Sequence, residues 1–328
     1  MNRQLRFCLK ESHTPTYYNL CRFLKEQNWR PSRFKWRADF SEDNFQFDLQ
    51  AAQQLEFKHL LAQLAARHCP EVMPLTYCIN DQNWPQVLEK LDLQNPNLIW
   101  ILKPALLNNG KEIKLFQNLS DLQAHFISSK RLGGEHVLQH YVANPHLLRD
   151  RRKYSIRMFV VTTNYGGNFL YPFGYYNVAL HPYAENDFSE LKSHLTNEHL
   201  QINEANVLQI PAQRFADFES LYPQIKAIVT AIITGLEQEY PQAFICKKTR
   251  TLAIYGFDFL VDSCDRVWLL EANHGPCFPI SAEHSLQKFL YHEFWQHFIA
   301  NFVIPIALDQ SKETIQNYSF ELLETTLK

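Results

Sequence analysis

No run of this 328-residue sequence approaches the roughly 18 consecutive apolar residues that a membrane-spanning helix needs; the strongest stretch, 225–236, is short and carries Lys226. The start, MNRQLRFCLKESH, has basic residues but no apolar centre, so a cleaved secretory leader is not expected. The 7 cysteines (Cys8, Cys21, Cys69, Cys78, Cys246, Cys264, Cys277) are odd in number and form no C-x-x-C pair. That excludes a disulfide framework, makes a structural zinc site improbable, and points to reduced thiols in a cytoplasmic protein. Net charge is missing too: 32 Lys+Arg against 34 Asp+Glu leaves −2, so no overall field draws the chain to nucleic acid or a membrane. Internal repeats, low-complexity tracts and the Gly-rich Walker A phosphate loop are all absent.

What is present is apolar material. At 46% hydrophobic and 14% aromatic residues, the chain can bury a large core in two or three lobes, and it is expected to act as a monomer. Residues 4–9 alternate like a strand, and Thr14-Pro15 caps a helix to about Gln27. RFKWRADF (33–40) alternates with period two, which predicts a strand with Phe34, Trp36 and Ala38 packed and Arg33, Lys35 and Arg37 outward. That basic face suits an acidic partner or is simply a solvated edge. A helix is predicted over about 50–68, and Pro70 and Pro74 mark a boundary after it. Residues 80–97 read as a connection with a short helix, followed by strands at 98–103 and 112–116 and a helix capped by Ser120. Strands follow at 136–141, 153–162 and 169–176, then a long amphipathic helix carrying Ile225, Ile228, Val229, Ile232, Ile233 and Leu236. A helix over 282–300 comes last, and the polar tail 309–328 reads as frayed. The mixture of antiparallel strand pairs and helices predicts an α+β protein.

Between them lies GFDFLVDSCDRVWLLEANHGPC (256–277), an apolar hairpin interrupted by Asp258, Glu271 and Asn273. With the turn centred on Cys264-Asp265, Asp258 falls opposite Glu271, and Asn273 shares their face. Two carboxylates about 5 Å apart repel by roughly 3 kcal/mol at an effective dielectric near 20, and the local sequence offers no Lys or Arg to neutralise them. A hard divalent cation held by oxygen would do so. The other reading is a pair of solvated acids at a strand end. RRKYSIR puts Lys153, Ser155 and Arg157 on one strand face, and Lys103 ends the strand LIWILK before the turn LLNNGK. These cations suit phosphate oxygens or belong to ordinary exposed strands.

Taken in order, WILKPALLNNGKEI, HVLQHYVANPHLL, RRKYSIRMFVV, HLTNEHLQ and YGFDFLVDSCDRVWLLEANHGP resemble the tubulin–tyrosine ligase family of the ATP-grasp superfamily, over nearly the whole chain. The resemblance implies two α+β lobes (70–138 and 139–328) clamping ATP, and a small α/β N-terminal domain (1–69) that binds the acceptor protein. Lys103, Lys153 and Arg157 match phosphate-contacting positions; Gln139, His140, Tyr141 and Val142 match the adenine-reading segment; Thr196 and Asn197 match the nucleotide site. Asp258, Glu271 and Asn273 match Mg²⁺ ligands. The implied chemistry is ligation of an amino acid to a protein carboxylate through an acyl phosphate, with Lys153, Arg157 and Glu271 as catalytic groups and an acidic-tailed acceptor such as tubulin. The chain departs from the family pattern at Gln54 and Asn177, where the family places a lysine and an arginine, and at Ser155, Glu112 and His140. Three readings therefore stay open: a protein–amino acid ligase, an ATP-grasp ligase or kinase for a different small amine, and a non-catalytic binding module.

Overall fold

The structure, a computed structural model, describes residues 3–92, 98–108, 110–128, 131–185, 187–201, 204–310 and 319–325. Asn97, Asn109 of the predicted turn, and 311–318 and 326–328 of the tail lie outside the described residues.

The chain opens with β1 (Arg6–Cys8), α1 (Pro15–Glu26), β2 (Arg30–Pro31) and β3 (Phe40–Ser41), which pair in parallel in the order β2-β1-β3. Thr14 caps α1 as expected: the Tyr17 backbone N–H donates to Thr14 Oγ1 at 3.1 Å. The predicted strand 33–40 does not form. Lys35–Arg37 is a 3₁₀ turn, and Phe34 and Trp36 are 52% and 75% exposed. The cause is local: Ser32 Oγ accepts from Phe34 N–H and donates to Phe34 O, a side-chain turn that competes with extended pairing.

The helix expected over 50–68 is two, α2 (Leu49–Glu56) and α3 (Lys58–His68), broken where Phe57 adopts φ −86° and ψ 120°. A second, antiparallel sheet follows, ordered β4-β7-β5-β6 and built from β4 (Thr76–Ile79), β5 (Trp100–Pro104), β6 (Lys114–Phe116) and β7 (His136–His140). It carries α4 (Trp84–Asp92) and α5 (Leu119–Ile127). The cap of α5 is Asn118 rather than Ser120, its side chain accepting from Asp121 N–H at 2.8 Å.

The largest sheet runs β12-β9-β8-β13-β14, from β8 (Arg152–Thr163), β9 (Asn168–Pro182), β12 (Val207–Pro211), β13 (Leu252–Val261) and β14 (Val267–His274). Between β9 and β12 lie α6 (Leu191–His194) and the small pair β10 (His199–Gln201) and β11 (Glu204–Ala205). Before β13 comes α7 (Phe218–Glu239), whose Ile225, Val229, Ile232 and Leu236 bury against one face of the sheet. The last helical stretch runs from Gln287 to Ala307, through α8 (His292–Phe298) and α9 (Ile304–Ala307), with π-helical segments before each. The tail is not frayed where it is described: β15 (Glu321–Leu322) pairs with β9, and Phe320 and Leu323 are buried.

The alternation of β8 shows how the sheet makes room for a site. Tyr154, Ile156, Met158 and Val160 point into the α7 core. On the other face, Phe159 and Val161 pack under Phe294, Trp295 and Phe298, together with Phe7 and Leu20 from the N-terminal elements. Nearer the start of β8 that same face is polar, carrying Lys153, Ser155 and Arg157. The C-terminal helices do not cover this half; the short α6 approaches it, and this half forms the wall of a cleft shared with the smaller sheet. Trp295 is fully buried, its ring centroid 4.8 Å from that of Phe278. Trp295→Ala is expected to lower unfolding stability by about 3–5 kcal/mol, read from urea denaturation; a change within error would show that the aromatic cluster repacks freely.

A buried cationic cleft as candidate active site

The cleft encloses about 270 Å³. One row of side chains crosses its floor in register: Tyr175 of β9, Arg157 of β8, Asp258 of β13 and Glu271 of β14. Asn273 stands two residues beyond Glu271. Lys103, Gln139, His140, Tyr141, Val142, Lys153, Thr196 and Asn197 complete the walls, so the positions matched to phosphate, adenine, nucleotide and metal contacts all line one cavity.

The pairing of Asp258 with Glu271 is the one expected, but the chain reaches it differently. Near the turn Val261 pairs with Val267 and Phe259 with Leu269, and the register then shifts by one before Asp258↔Glu271. Leu270 is the extra residue of a β-bulge. Val267, Leu269 and Ala272 face the core, while Leu270, Glu271 and Asn273 line the cleft, so the bulge reverses which parity points inward.

The acids are not left to repel each other, as the hairpin alone predicts. Arg157, from the neighbouring strand, donates from Nε to Asp258 Oδ1 and from Nη2 to Oδ2, both at 2.5 Å. Gly256 permits this: a Cβ there would lie 2.8 Å from Arg157 Cδ and 2.9 Å from Nη1. Lys58 neutralises Glu271 at 3.5 Å and also donates to Leu107 O at 2.7 Å. Sequence reading missed Lys58. The resemblance asks for a lysine from this helical region, and the residue at Gln54 offers none; Lys58, one turn on and first in α3, supplies the charge. Burial raises the Asp258 carboxyl to about 6, opposed by Arg157. Burial would also raise Glu271, but the charges of Lys58, Lys103 and Arg157 overcome it and hold the group at about 2.

Two further cations are buried here, and among the described residues neither makes an ion pair. Lys103 donates to Gln139 Oε1 at 2.9 Å, and Gln139 in turn donates to Thr76. Lys153 donates to Tyr141 Oη at 2.9 Å, and that hydroxyl meets His194 Nδ1 at 2.9 Å. Burial lowers Lys103 to about 8, and burial together with the like charge of Lys103 lowers Lys153 to about 7. With Lys58 and Arg157 paired to the two acids, Lys153 has no acid acting on it and Lys103 feels Glu271 and Asp258 without an ion pair, so both face the cavity as additional cationic groups. Buried ammonium groups without acids are costly, and an anion that entered would offset that cost.

Comparison with known proteins fits this geometry. The model of the "Tubulin-tyrosine ligase family" matches residues 44–312. The chain belongs to that family. Its relatives include the mouse (Mus musculus) "Probable tubulin polyglutamylase TTLL2", 27% identical over 62% of this chain and 39% of the relative. The "Tubulin glycylase 3C" of Tetrahymena thermophila is 26% identical over 67% of this chain and 22% of its own length. The "Probable tubulin--tyrosine ligase PBY1" of Saccharomyces cerevisiae is 28% identical over 71% and 37%. The chain thus spans well under half the length of these relatives.

Positions that depart from the family pattern have clear surroundings. Glu112, in a left-handed conformation (φ 57°), is exposed and does not line the cleft. Ser155 Oγ accepts from Thr196 Oγ1 at 2.9 Å. Asn177 is buried, its Oδ1 accepting from Gln209 Nε2 at 3.1 Å. Among the described residues, no group of three or more His, Cys, Asp or Glu could hold a metal. The hairpin offers two acids and an amide: Asn273 Nδ2 lies 3.2 Å from Glu271 Oε1 and 3.4 Å from Asp258 Oδ2. Turning the amide over presents its oxygen to the same point, which gives an all-oxygen set of the kind Mg²⁺ accepts. The residues fit the ion in donor type, although protein cations already balance the acids.

Two outcomes follow from this geometry. Gly256→Ala displaces Arg157 from Asp258 and lowers stability by about 1–3 kcal/mol, measured by denaturation; unchanged stability would mean that Arg157 swings aside freely. The depressed Glu271 group adds stability that is full above the ordinary carboxylate value and lost as pH falls towards 2. Lys58→Met removes the strongest opposing charge, so the Glu271 titration, followed by carboxyl NMR, should move to higher pH; an unmoved titration would refute the pairing.

Proposed function

We propose that the chain is an ATP- and Mg²⁺-dependent ligase that joins an amine, in the family manner an amino acid, to a protein carboxylate, on an ATP-grasp framework of two lobes closing over the nucleotide. The observation that carries this reading is the pair of buried lysines, Lys103 and Lys153, facing a cleft without acid partners and beside Asp258, Glu271 and Asn273. That is a polyanion site next to an oxygen-rich cation site.

In this reading Lys103 and Lys153 hold the phosphates, and the 139–142 segment together with Thr196 and Asn197 lines the base and sugar. When bound between Asp258, Glu271 and Asn273, Mg²⁺ offsets charge on the β- and γ-phosphates. An acceptor carboxylate oxygen attacks the γ-phosphorus and ADP leaves. The amine nitrogen then attacks the acyl carbon; the C–N bond forms, the C–O bond to phosphate breaks, and the amine proton leaves with the released phosphate or to water. Arg157, fixed on Asp258, is placed to stabilise charge on the transferring group, and positioning with charge neutralisation supplies most of the acceleration.

The acceptor reading rests on an exposed patch of the N-terminal elements. Arg37 stacks 4.4 Å from the Trp36 ring centroid beside Phe34, with Arg30 and Arg33 exposed nearby. Lys35, by contrast, is paired with Asp43 and leaves the basic face. An arginine–aromatic surface suits an acidic protein tail, and tubulin is the leading candidate because the relatives are named for it.

Incubation with tubulin, Mg-ATP and individually labelled amines is expected to give ATP-dependent incorporation, reduced about 100-fold or more in Lys153→Met and Glu271→Gln. No nucleotide binding and no incorporation would overturn the ligase reading. Because Lys153 sits at about 7 when the cleft is free, a bound polyphosphate should raise it. At pH 8 binding therefore takes up protons, and affinity falls as pH rises from about 7 to 9. Calorimetry in buffers of different ionisation heat reads that uptake, which should fall in Lys153→Met and leave only the smaller share taken up by Lys103, itself lowered to about 8.

A further inference from the structure

Beyond Arg157, the cleft changes character. Its wall there is Ser155 of β8, Asn177 of β9 and Gln209 of β12, paired Ser155↔Asn177 and Gln209↔Asn177, so the three side chains stand in one row. Ser155 and Asn177 are buried. Thr196 closes over Ser155, and Gln209 closes on Asn177, through the bonds already described. These bonds decide what is offered to a ligand. Asn177 has its oxygen engaged and presents its amide N–H; Gln209 has its nitrogen engaged and presents its oxygen; the Ser155 hydroxyl keeps its own proton to donate. The wall thus donates and accepts hydrogen bonds and carries no charge.

Among the described residues, the row itself carries no cation, and the two that stand beside it are engaged. Arg157 has Nε and Nη2 committed to Asp258, and Lys153 is turned to Tyr141. An acid also stands at this end: Glu198 lines the cleft, and at Tyr175, Cys277 and Tyr291 its negative charge opposes the positive charge of Arg157, which Asp258 already pairs. A carboxylate seated against this wall would lose its water, find neutral partners in the row and a guanidinium already paired with Asp258 beside it, and face the like charges of Asp258 and Glu198. A neutral amide or an ammonium group would meet none of these penalties.

We propose that this row is the seat of the amine substrate and that it selects a small primary amine with no carboxylate beside its nitrogen, such as a simple amine or an amino-acid amide. The proposal rests on the ligase reading and names its donor class. Asn177 is the specificity-determining residue: a guanidinium in its place would supply the charge-assisted, two-pronged partner that a carboxylate needs.

The test is direct binding to the full chain in the presence of Mg²⁺ and a non-hydrolysable ATP analogue. Glycinamide is compared with glycine, and tyramine with tyrosine, by calorimetry or saturation-transfer NMR. The carboxylate-free member of each pair is expected to bind about tenfold tighter or more, and Asn177→Arg is expected to reverse the order. Equal affinities within each pair, tighter binding of the amino acids, or no binding of any of the four overturns the proposal; the native-protein comparison stands whether or not the variant folds. Binding of the analogue in the same titrations reports separately on the ligase reading: its failure sinks that reading, whereas a bound analogue with the wrong amine order sinks only this inference.

Discussion

A single extra residue in one strand governs the cleft. Leu270 breaks the two-residue rhythm of β14, and beyond it the residues facing the cleft change from even to odd numbers. Without that bulge Glu271 would continue the row of Val267 and Leu269 into the α7 core, where an ionised carboxylate has no partner. With it, Glu271 and Asn273 join Asp258 on the open face. The bulge also lets three elements distant in sequence converge there: Arg157 across the neighbouring strand, Lys58 from the start of α3, and Lys103 from the smaller sheet.

The resulting charge pattern explains why so polar a floor survives inside a largely apolar protein. Two cations are matched by two acids, and two more, Lys103 and Lys153, are held by neutral oxygens with their proton affinity lowered by burial. Such an arrangement is stable enough to fold and is improved by an arriving anion. It divides the cleft into a cationic end and a neutral end, separated by the Arg157–Asp258 pair. The same sheet face turns apolar a few residues further along, where Phe159 and Val161 carry the C-terminal helices. Polar and apolar halves of one face therefore share the strand that aligns them.

Much of this was legible in residue order. Alternation along 153–162 placed Lys153, Ser155 and Arg157 on the one face that the structure shows, because side-chain direction in a regular strand follows from period two; in the hairpin the expected Asp258–Glu271 pairing is reached through the Leu270 bulge, which alternation does not foresee. Legibility failed where a local side-chain bond or a long-range contact overrode the pattern. RFKWRADF alternates like a strand, yet Ser32 bends it. The helix expected over 50–68 breaks at Phe57, and it is this break that sets Lys58 at the head of α3, behind the cleft. The tail, polar enough to read as loose, is tied down by Phe320 and Leu323.

By itself, then, the sequence determined the inventory: which strands carry cations, which hairpin carries acids, and which family the ordered motifs resemble. Those properties depend on neighbours within a few residues. Only the tertiary structure decided how the charges are matched, that Arg157 and Lys58 neutralise acids for which the hairpin offers no partner, and that Asn177, Gln209 and Ser155 make one uncharged wall. Such matches arise between residues as far apart as 58 and 271, brought together by sheet register and helix placement, and no short-range pattern encodes them.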